Sequence, residues 1–333
     1  MTNNKRTILS LLFLLLLANI APVFGGKISK AEFDRLRMVD KLLKAQIGEM
    51  ETEFKASPAL DKYRVEYLAT VACKTPKAVS AAQIAKILDQ SRFVFLGDEH
   101  TTAESQKNTI NVLNLMKKNN RPVTLVLEWI DESHQEVINQ FLAGQVPGTE
   151  LRKKIAFDKD WGFSWTDYSK ILAAAKKLKV PILLVERLKK RHSLSERDTY
   201  IAGKIAEDAK KNEQMRYLTV YGEYHLLGPG HLTEKCSKLG LSSQVILVGD
   251  APEVYWKLLA QTMDPDQVEF AQLKGNVYFI RNGTPLERSM SYRNYLMKIL
   301  GYKASDFEDR VGATDIIPKA GAAASFDELH QTR

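Results

Sequence analysis

The sequence predicts an α/β fold: a mostly parallel sheet flanked by helices, with a small helical subdomain inserted between strands 2 and 3. Three observations predict it. Short apolar, β-rich runs recur at Phe93–Leu96, Val123–Leu127, Ile182–Val185, Tyr217–Tyr221, Val245–Val248 and Val277–Ile280. Amphipathic helical stretches such as Thr109–Lys118, Gln135–Leu142, Tyr168–Leu178 and Thr199–Ala209 separate most of them. The runs are apolar throughout rather than alternating, as strands covered on both faces require.

The elements follow in order. Lys5 and Arg6, the apolar run Ile8–Phe24 and the pair Gly25 and Gly26 form a three-part secretory signal over residues 1–25. An uncleaved membrane anchor is the competing reading of that run. Cleavage after Gly25 is expected to export the protein to a periplasm or the medium. No later stretch of the sequence is long and apolar enough to span a bilayer. Residues 26–79 read as an N-terminal helical segment, with Phe33, Leu36, Met38, Leu42 and Leu43 near helical spacing and Pro58 interrupting it. Ser80 with Gln83 makes a capping box that opens the α/β domain, 80–304. The insert from Asp131 to Lys179 is too long for one crossover, and it carries Trp161 and Trp165. From 305 to 333 periodicity is lost, which reads as a mobile tail.

Composition narrows the function classes. The formal net charge is +8, and signal removal would take Lys5 and Arg6 from it. The remaining excess is spread over solvated faces such as Lys176, Lys177 and Lys179, and over Lys189–Arg191. Nothing resembles an aromatic-interleaved nucleic-acid platform, so no nucleic-acid partner is expected. The two cysteines, Cys73 and Cys236, are compatible with a disulfide after export or with buried free thiols.

Ligands of an open parallel sheet bind beyond the carboxyl ends of its strands, so the residues after each run matter most. Gly97-Asp98-Glu99-His100 follows the first, Glu128 the second, Glu186-Arg187 the third, Gly222-Glu223-Tyr224-His225 the fourth and Gly249-Asp250 the fifth. The repeated Gly-x-x-His is the most telling: glycine lets the chain turn sharply, and the imidazole three residues on can point back over the strand tip. His100, Glu128 and His225 would form a His₂Glu set that leaves one position open on a divalent ion. Such an ion would acidify its bound water and polarise a carbonyl. Glu99, Asp98 or Glu223 would then be the general base, and Arg197 or Arg187 would stabilise developing negative charge. The same groups could instead hold a ligand without chemistry, such as haem iron through Tyr224 or a histidine.

Each residue has a structural alternative. His100 could cap the helix near Thr102, Glu128 could pair with an arginine, and Tyr224 could simply pack. His231 reads as a surface or capping residue, and His134 and His192 as exposed. Trp161 and Trp165 read as subdomain core.

These motifs carry a resemblance. FVFLGDEHTTAESQ, TLVLEW, WGFSWTDYSKILAAAKKLKVPILLVERL, SERDTYIAGKIAE and YGEYHLLGPGHL together resemble the ChaN-like haem-binding uptake family, grouped with Tiki proteases and more distantly with erythromycin esterases. The resemblance runs from about Ser80 to Gly249 with the motifs in order. It implies functional positions at His100, Glu128, Arg197 and His225, with Asp98 or Glu99 beside them. Asp98 departs from the glutamate common at its place, and no haem-ligating tyrosine matches securely, Tyr224 being the candidate. The resemblance implies an exported protein that binds haem or iron for uptake, and it is compatible with a homodimer. The alternative it implies is a metal-dependent hydrolase of peptides or esters using zinc, manganese or iron.

Overall fold

Alternation within the first apolar run decides which layers it joins. In the computed structural model, Val94 and Leu96 face one core while Phe93 and Phe95 face the other, the period-two geometry of a strand. All four are at most 3% exposed, and truncating any one to alanine would cost about 2–5 kcal/mol. The structure describes residues 26–54, 57–118, 121–188 and 192–302. The expected signal (1–25), the tail (305–333) and the basic run Lys189–Arg191 lie outside the described residues.

The described residues open with two helices, α1 (Lys30–Phe54) and α2 (Pro58–Val71). Pro58 therefore starts the second helix, at a position where its missing N–H costs nothing. Next come β1 (Lys77–Ala78), α3 (Ala81–Gln90), β2 (Phe93–Asp98), α4 (Ala103–Lys117) and β3 (Val123–Asp131). The insert folds as a 3₁₀ turn (Glu132–His134) and four helices, α5 (Gln135–Leu142), α6 (Gly148–Lys154), α7 (Phe157–Asp160) and α8 (Trp165–Lys177). Then follow β4 (Ile182–Glu186), α9 (Leu194–Lys211), β5 (Arg216–Gly222), α10 (Glu223–Leu226), α11 (Leu232–Lys238), β6 (Gln244–Val248) and α12 (Pro252–Thr262). The described chain ends with β7 (Phe270–Lys274), β8 (Val277–Ile280) and α13 (Pro285–Leu300). Capping boxes start α3 at Ser80 and Gln83, α9 at Ser193 and Glu196, and α13 at Thr284 and Glu287.

Among the described residues the sheet has eight strands, in the order β1-β7-β8-β6-β2-β5-β3-β4. All pairings among β8, β6, β2, β5, β3 and β4 are parallel, and β7 adds an antiparallel edge beside β8 and β1. The predicted six strands are all present; β1 and β7 are additions. β7 is only half covered, so its sequence FAQLK lacks the apolar run that marked the others. The decisive pairing for function is β2 with β5, which sets Gly97 opposite Tyr221 and Asp98 opposite Gly222. It places both Gly-x-x-His motifs side by side, with β3 next along.

One buried cation ties the opposite end of the sheet to its helices. Arg216, 2% exposed at the start of β5, donates to the carbonyls of Ser91 and Met116 at 2.9 Å each and to that of Leu88. These carbonyls cluster where α3 and α4 end, where a helix leaves acceptors unpaired and its dipole is negative. Neither cysteine is bridged: Cys73 and Cys236 are free thiols.

Candidate functional site

Gly97 and Gly222 leave the sheet side by side, and each gives its space to a carboxylate. A Cβ on Gly97 would lie 2.8 Å from Glu223 Cδ. A Cβ on Gly222 would lie 3.2 Å from Glu128 Oε2 and 3.3 Å from His100 Nε2. The tip of β5 is therefore the floor on which Glu128 and His100 converge. Glu128 sits within β3, not after it, and accepts from the Gly222 backbone N–H at 2.6 Å.

His100 is oriented by Asp98. Its Nδ1 lies 2.9 Å from Asp98 Oδ2, while Tyr168 O–H (2.5 Å), Gln106 Nε2 (2.7 Å) and Ser105 Oγ (3.1 Å) also donate to that carboxylate. Burial works against the Asp98 charge, but these donors and the neighbouring imidazole hold its pKa below the usual carboxylate range. An ionised carboxylate only accepts, so Nδ1 carries the hydrogen and Nε2 is the atom turned to the floor. Burial also opposes the imidazolium; the hydrogen bond to Asp98 and the charges of Asp98, Glu128 and Glu99 outweigh it and raise the His100 pKa. Trp161 meets the ring edge-on at 4.7 Å, and Phe163 lies tilted to it at 5.0 Å. Trp161 thus packs against the insert's core, as expected, and also walls His100.

His225 repeats the arrangement on the other side of β5. Its Nδ1 is 2.6 Å from Asp198 Oδ1, and Tyr63 O–H donates to Asp198 Oδ2 at 3.1 Å. The ring lies between Tyr63 and Tyr221, with centroids at 5.5 and 5.2 Å. Arg197, one residue before Asp198 on α9, donates twice to Glu186, at 2.8 Å from Nη2 and 3.2 Å from Nε, and reaches Glu128 Oε1 at 3.4 Å. Tyr221 O–H also donates to Glu186. Burial alone would lower the Arg197 pKa, but Tyr221, Glu186 and Glu128 raise it. Arg187, the other candidate cation, instead turns to Glu132 at 2.6 Å and lies over the Tyr200 ring.

The three expected metal ligands do not come together. Among the described residues no group of three or more His, Cys, Asp or Glu side chains could hold a metal ion. The reason is local: the His225 ring is packed between Tyr63 and Tyr221, and its Nδ1 is held by Asp198.

Glu99 and Glu223 face a third quarter, beyond β2. Glu99 pairs with Arg288 of α13 at 2.5 Å, and Arg288 also pairs with Asp250 at 2.5 Å. Glu223 accepts from Tyr67 O–H (2.5 Å) and from the backbone N–H groups of Gly249 (2.8 Å) and Asp250 (2.6 Å). With that many fixed donors it stitches the β5 and β6 exits together. Burial pushes Glu99 up to about 7, against the pull of Arg288 and with repulsion from Asp250 and Glu223. Burial and the Asp250 charge also raise Glu223, whereas Arg288 outweighs burial at Asp250 and holds it low. Tyr224, the candidate haem ligand, donates to Asp250 Oδ2 at 3.0 Å and packs on Tyr67 at 5.4 Å.

Sequence reasoning missed Asp198, Tyr63, Tyr67 and Arg288, which come from helices without strand-exit motifs. His231, read as a surface or capping residue, does stand at the N-cap position of α11, but its side chain makes no cap bond; the ring is fully buried, stacked on Tyr63 at 4.0 Å and bonded to Glu66 at 2.9 Å. His134 is half-buried rather than exposed.

A family model described as haem-binding uptake, Tiki superfamily, ChaN matches residues 84–186. No curated protein matches the chain. Solved structures similar to it include ChaN of Campylobacter jejuni, reported with cofacial haem, at 14% identity, a TM-score of 0.38, and coverage of 51% of this chain and 85% of that one. The type III effector HopBA1 gives 14%, 0.39, 54% and 87% on the same measures. RRSP, a MARTX toxin effector domain from Vibrio vulnificus, gives 15%, 0.37, 51% and 36%. Residues 84–186, which carry β2 with the Asp98–His100 pair, Glu128, the aromatic insert and Glu186, are thus the part of the chain that is similar to the haem-binding uptake family of the Tiki superfamily.

Proposed function

We propose that this is an exported hydrolase whose acid–base chemistry is carried by two imidazoles at the β2 and β5 exits. One observation carries the reading: His100 and His225 each have Nδ1 fixed to a buried aspartate, at 2.9 and 2.6 Å. That leaves two Nε2 atoms to move protons, beside a cation, Arg197. In the proposed reaction His100 Nε2 takes the proton of a water as its oxygen bonds to a carbonyl carbon. Arg197, whose Nη1 bonds to no described residue, faces the oxygen that gains negative charge. When the tetrahedral adduct collapses, the bond to the leaving group breaks, and that group takes its proton from an imidazolium. Peptides and esters are the substrate classes. Hydrolysis of ester and peptide panels tests the reading: His100→Gln should lose about 10²-fold or more in kcat/KM. Unchanged turnover in that variant would remove His100 from the chemistry.

A second reading, binding of haem for uptake, is favoured by the family match and by the walls of His100. Tyr224 does not fit as the iron ligand, because its hydroxyl is bonded to Asp250 and its ring is set against Tyr67. His100 fits better: Nε2 is the available atom, Nδ1 is backed by a carboxylate as in many metal-bound histidines, and Trp161 and Phe163 supply flat apolar surface. A haem titration followed by absorbance separates the two readings. Saturable binding lost in His100→Ala and kept in Tyr224→Phe supports uptake, and absence of binding leaves hydrolysis.

A further inference from the structure

Away from the strand exits, a groove of about 870 Å³ runs along α4, between α3 and the β7–β8 edge on one side and the end of α8 on the other. Its volume is in the range of small-molecule sites, about 300–1,000 Å³. The floor is apolar: Ile84 from α3, Val112 and Leu115 from α4, and Phe270 and Ile280 from the sheet edge. The far end is basic. Lys117 and Lys118 follow one another off α4, and Lys177 and Lys179 lie at the end of α8. The two helices are packed neighbours that both run from the strand exits to the opposite edge of the sheet, so their ends bring four lysines to the lining of one groove.

Basic residues in a last helical turn complement the helix dipole, which accounts for one lysine per helix. It does not account for four converging on an apolar trough with no described carboxylate paired to any of them. Lys118, Lys177 and Lys179 are exposed. The lining holds a single acidic residue, Glu269, beside Phe270 and away from the lysines. Long lysine stems can lie along apolar surface while their charges stay in water, so the rim suits a charged head and the floor a hydrocarbon chain.

We propose that this groove binds a free single-chain amphiphile with an anionic head group, a fatty acid by class. The head lies among Lys117, Lys118, Lys177 and Lys179, and the chain lies along Leu115, Val112 and Ile84 towards Phe270. A peptide would need backbone partners along the trough, whereas its uncharged polar side chains all stand on α4: Asn108 is buried and already donates to the Arg281 carbonyl and to Asn282 Oδ1, and Asn111 and Asn114 are exposed.

The test is calorimetric titration of the full chain with dodecanoate below its micelle concentration. The expected result is saturable one-to-one binding that weakens as salt rises. Affinity should fall tenfold or more in Lys117→Ser/Lys177→Ser, two surface changes that leave the core alone. A neutral-headed amphiphile with the same tail, dodecyl maltoside, should bind at least tenfold more weakly. Leu115→Asn should weaken the chain contact independently of the head. No binding of dodecanoate, equal binding of the maltoside, or binding unchanged in the lysine variant would overturn the proposal. So would affinity confined to anionic phospholipid vesicles or to an acidic peptide.

Discussion

Asp198 lies 2.6 Å from His225 Nδ1 and directly follows Arg197, which grips Glu186 and Glu128. One turn of α9 therefore fixes both a proton carrier and a cation at the strand exits. Consecutive helical residues point about 100° apart, so the pair reaches two neighbours at once: Arg197 across β3 and β4, Asp198 towards α10. The Asp98–His100 pair is built within a single strand exit instead.

The first prediction concerns that pair. His100 is raised above its ordinary value, burial being outweighed by Asp98, Glu128 and Glu99. A histidine whose folded pKa is raised contributes stability that is fully present below its unfolded pKa, about 6.5. That contribution is lost as pH rises through the folded pKa. Asp98→Asn should lower the His100 pKa and flatten this part of the stability curve. Titration of the His100 Cε1 proton by NMR, with urea unfolding at several pH values, checks both. An unchanged His100 titration in the variant would show that Asp98 does not set it.

Glu99 should act in the same sense over a window that opens at lower pH. Its pKa is raised by burial to about 7, so its ionised form is disfavoured in the fold. Below the unfolded value, about 4.3, the group is neutral in both states and has no effect. Between there and about 7 the unfolded chain gives up the proton first, so this group makes stability fall as pH rises, and the loss is constant above. Glu99→Gln should remove that fall while also removing the Arg288 ion pair. Urea unfolding from pH 4 to pH 8 should show a flatter profile for the variant than for the wild type.

Arg197 should matter for folding as well as for chemistry. Glu186 and Glu128 are 1% and 4% exposed, and removing their cation leaves buried charges without compensation. Arg197→Met should destabilise by roughly 3–5 kcal/mol. Arg197→Lys should cost less, because it keeps the charge but not the two-pronged contact with Glu186. Denaturant midpoints of the two variants should fall in that order.

How much of this was legible in the sequence depends on the range of each interaction. The strands from Phe93 to Ile280 announced themselves because burial on both faces demands continuous apolar runs, and the glycine–histidine exits because they are local. Asp98 and His100 are two residues apart, and their bond needs only that exit. Arg288 meets Glu99 across 189 residues, and Tyr67 meets Glu223 across 156. No spacing rule reports such contacts. His225 shows the same limit: its motif placed it rightly at an exit, but only the tertiary packing of Tyr63, Tyr221 and Asp198 decides which way the ring faces.

The thiols give a separate check on the packing. Cys236 is fully buried, and burial together with the Asp198 charge pushes its thiol up to about 12, so it should be inert in the folded state. Cys73 is partly exposed and its Sγ donates to the Leu273 carbonyl at 3.3 Å. A thiol reagent should modify Cys73 alone in native protein and both residues in denaturant. A reductant should leave Tm unchanged, since no bridge contributes to stability.

Gly222→Ala separates the site's chemistry from the fold. The added methyl would stand 3.2 Å from Glu128 Oε2 and 3.3 Å from His100 Nε2, tight enough that both side chains must give by a few tenths of an ångström. His100 is 25% exposed at its side chain and can yield towards solvent, so the stability loss should stay near the lower end of the 1–3 kcal/mol usual for overpacking. The space it fills is the one between the proton carrier and the carboxylate, where misplacement by about 1 Å can cost on the order of 10²-fold in rate. Turnover should therefore collapse while the unfolding midpoint moves little. If both fell together, Gly222 would serve packing alone; if neither moved, the reacting groups would meet somewhere other than the tip of β5.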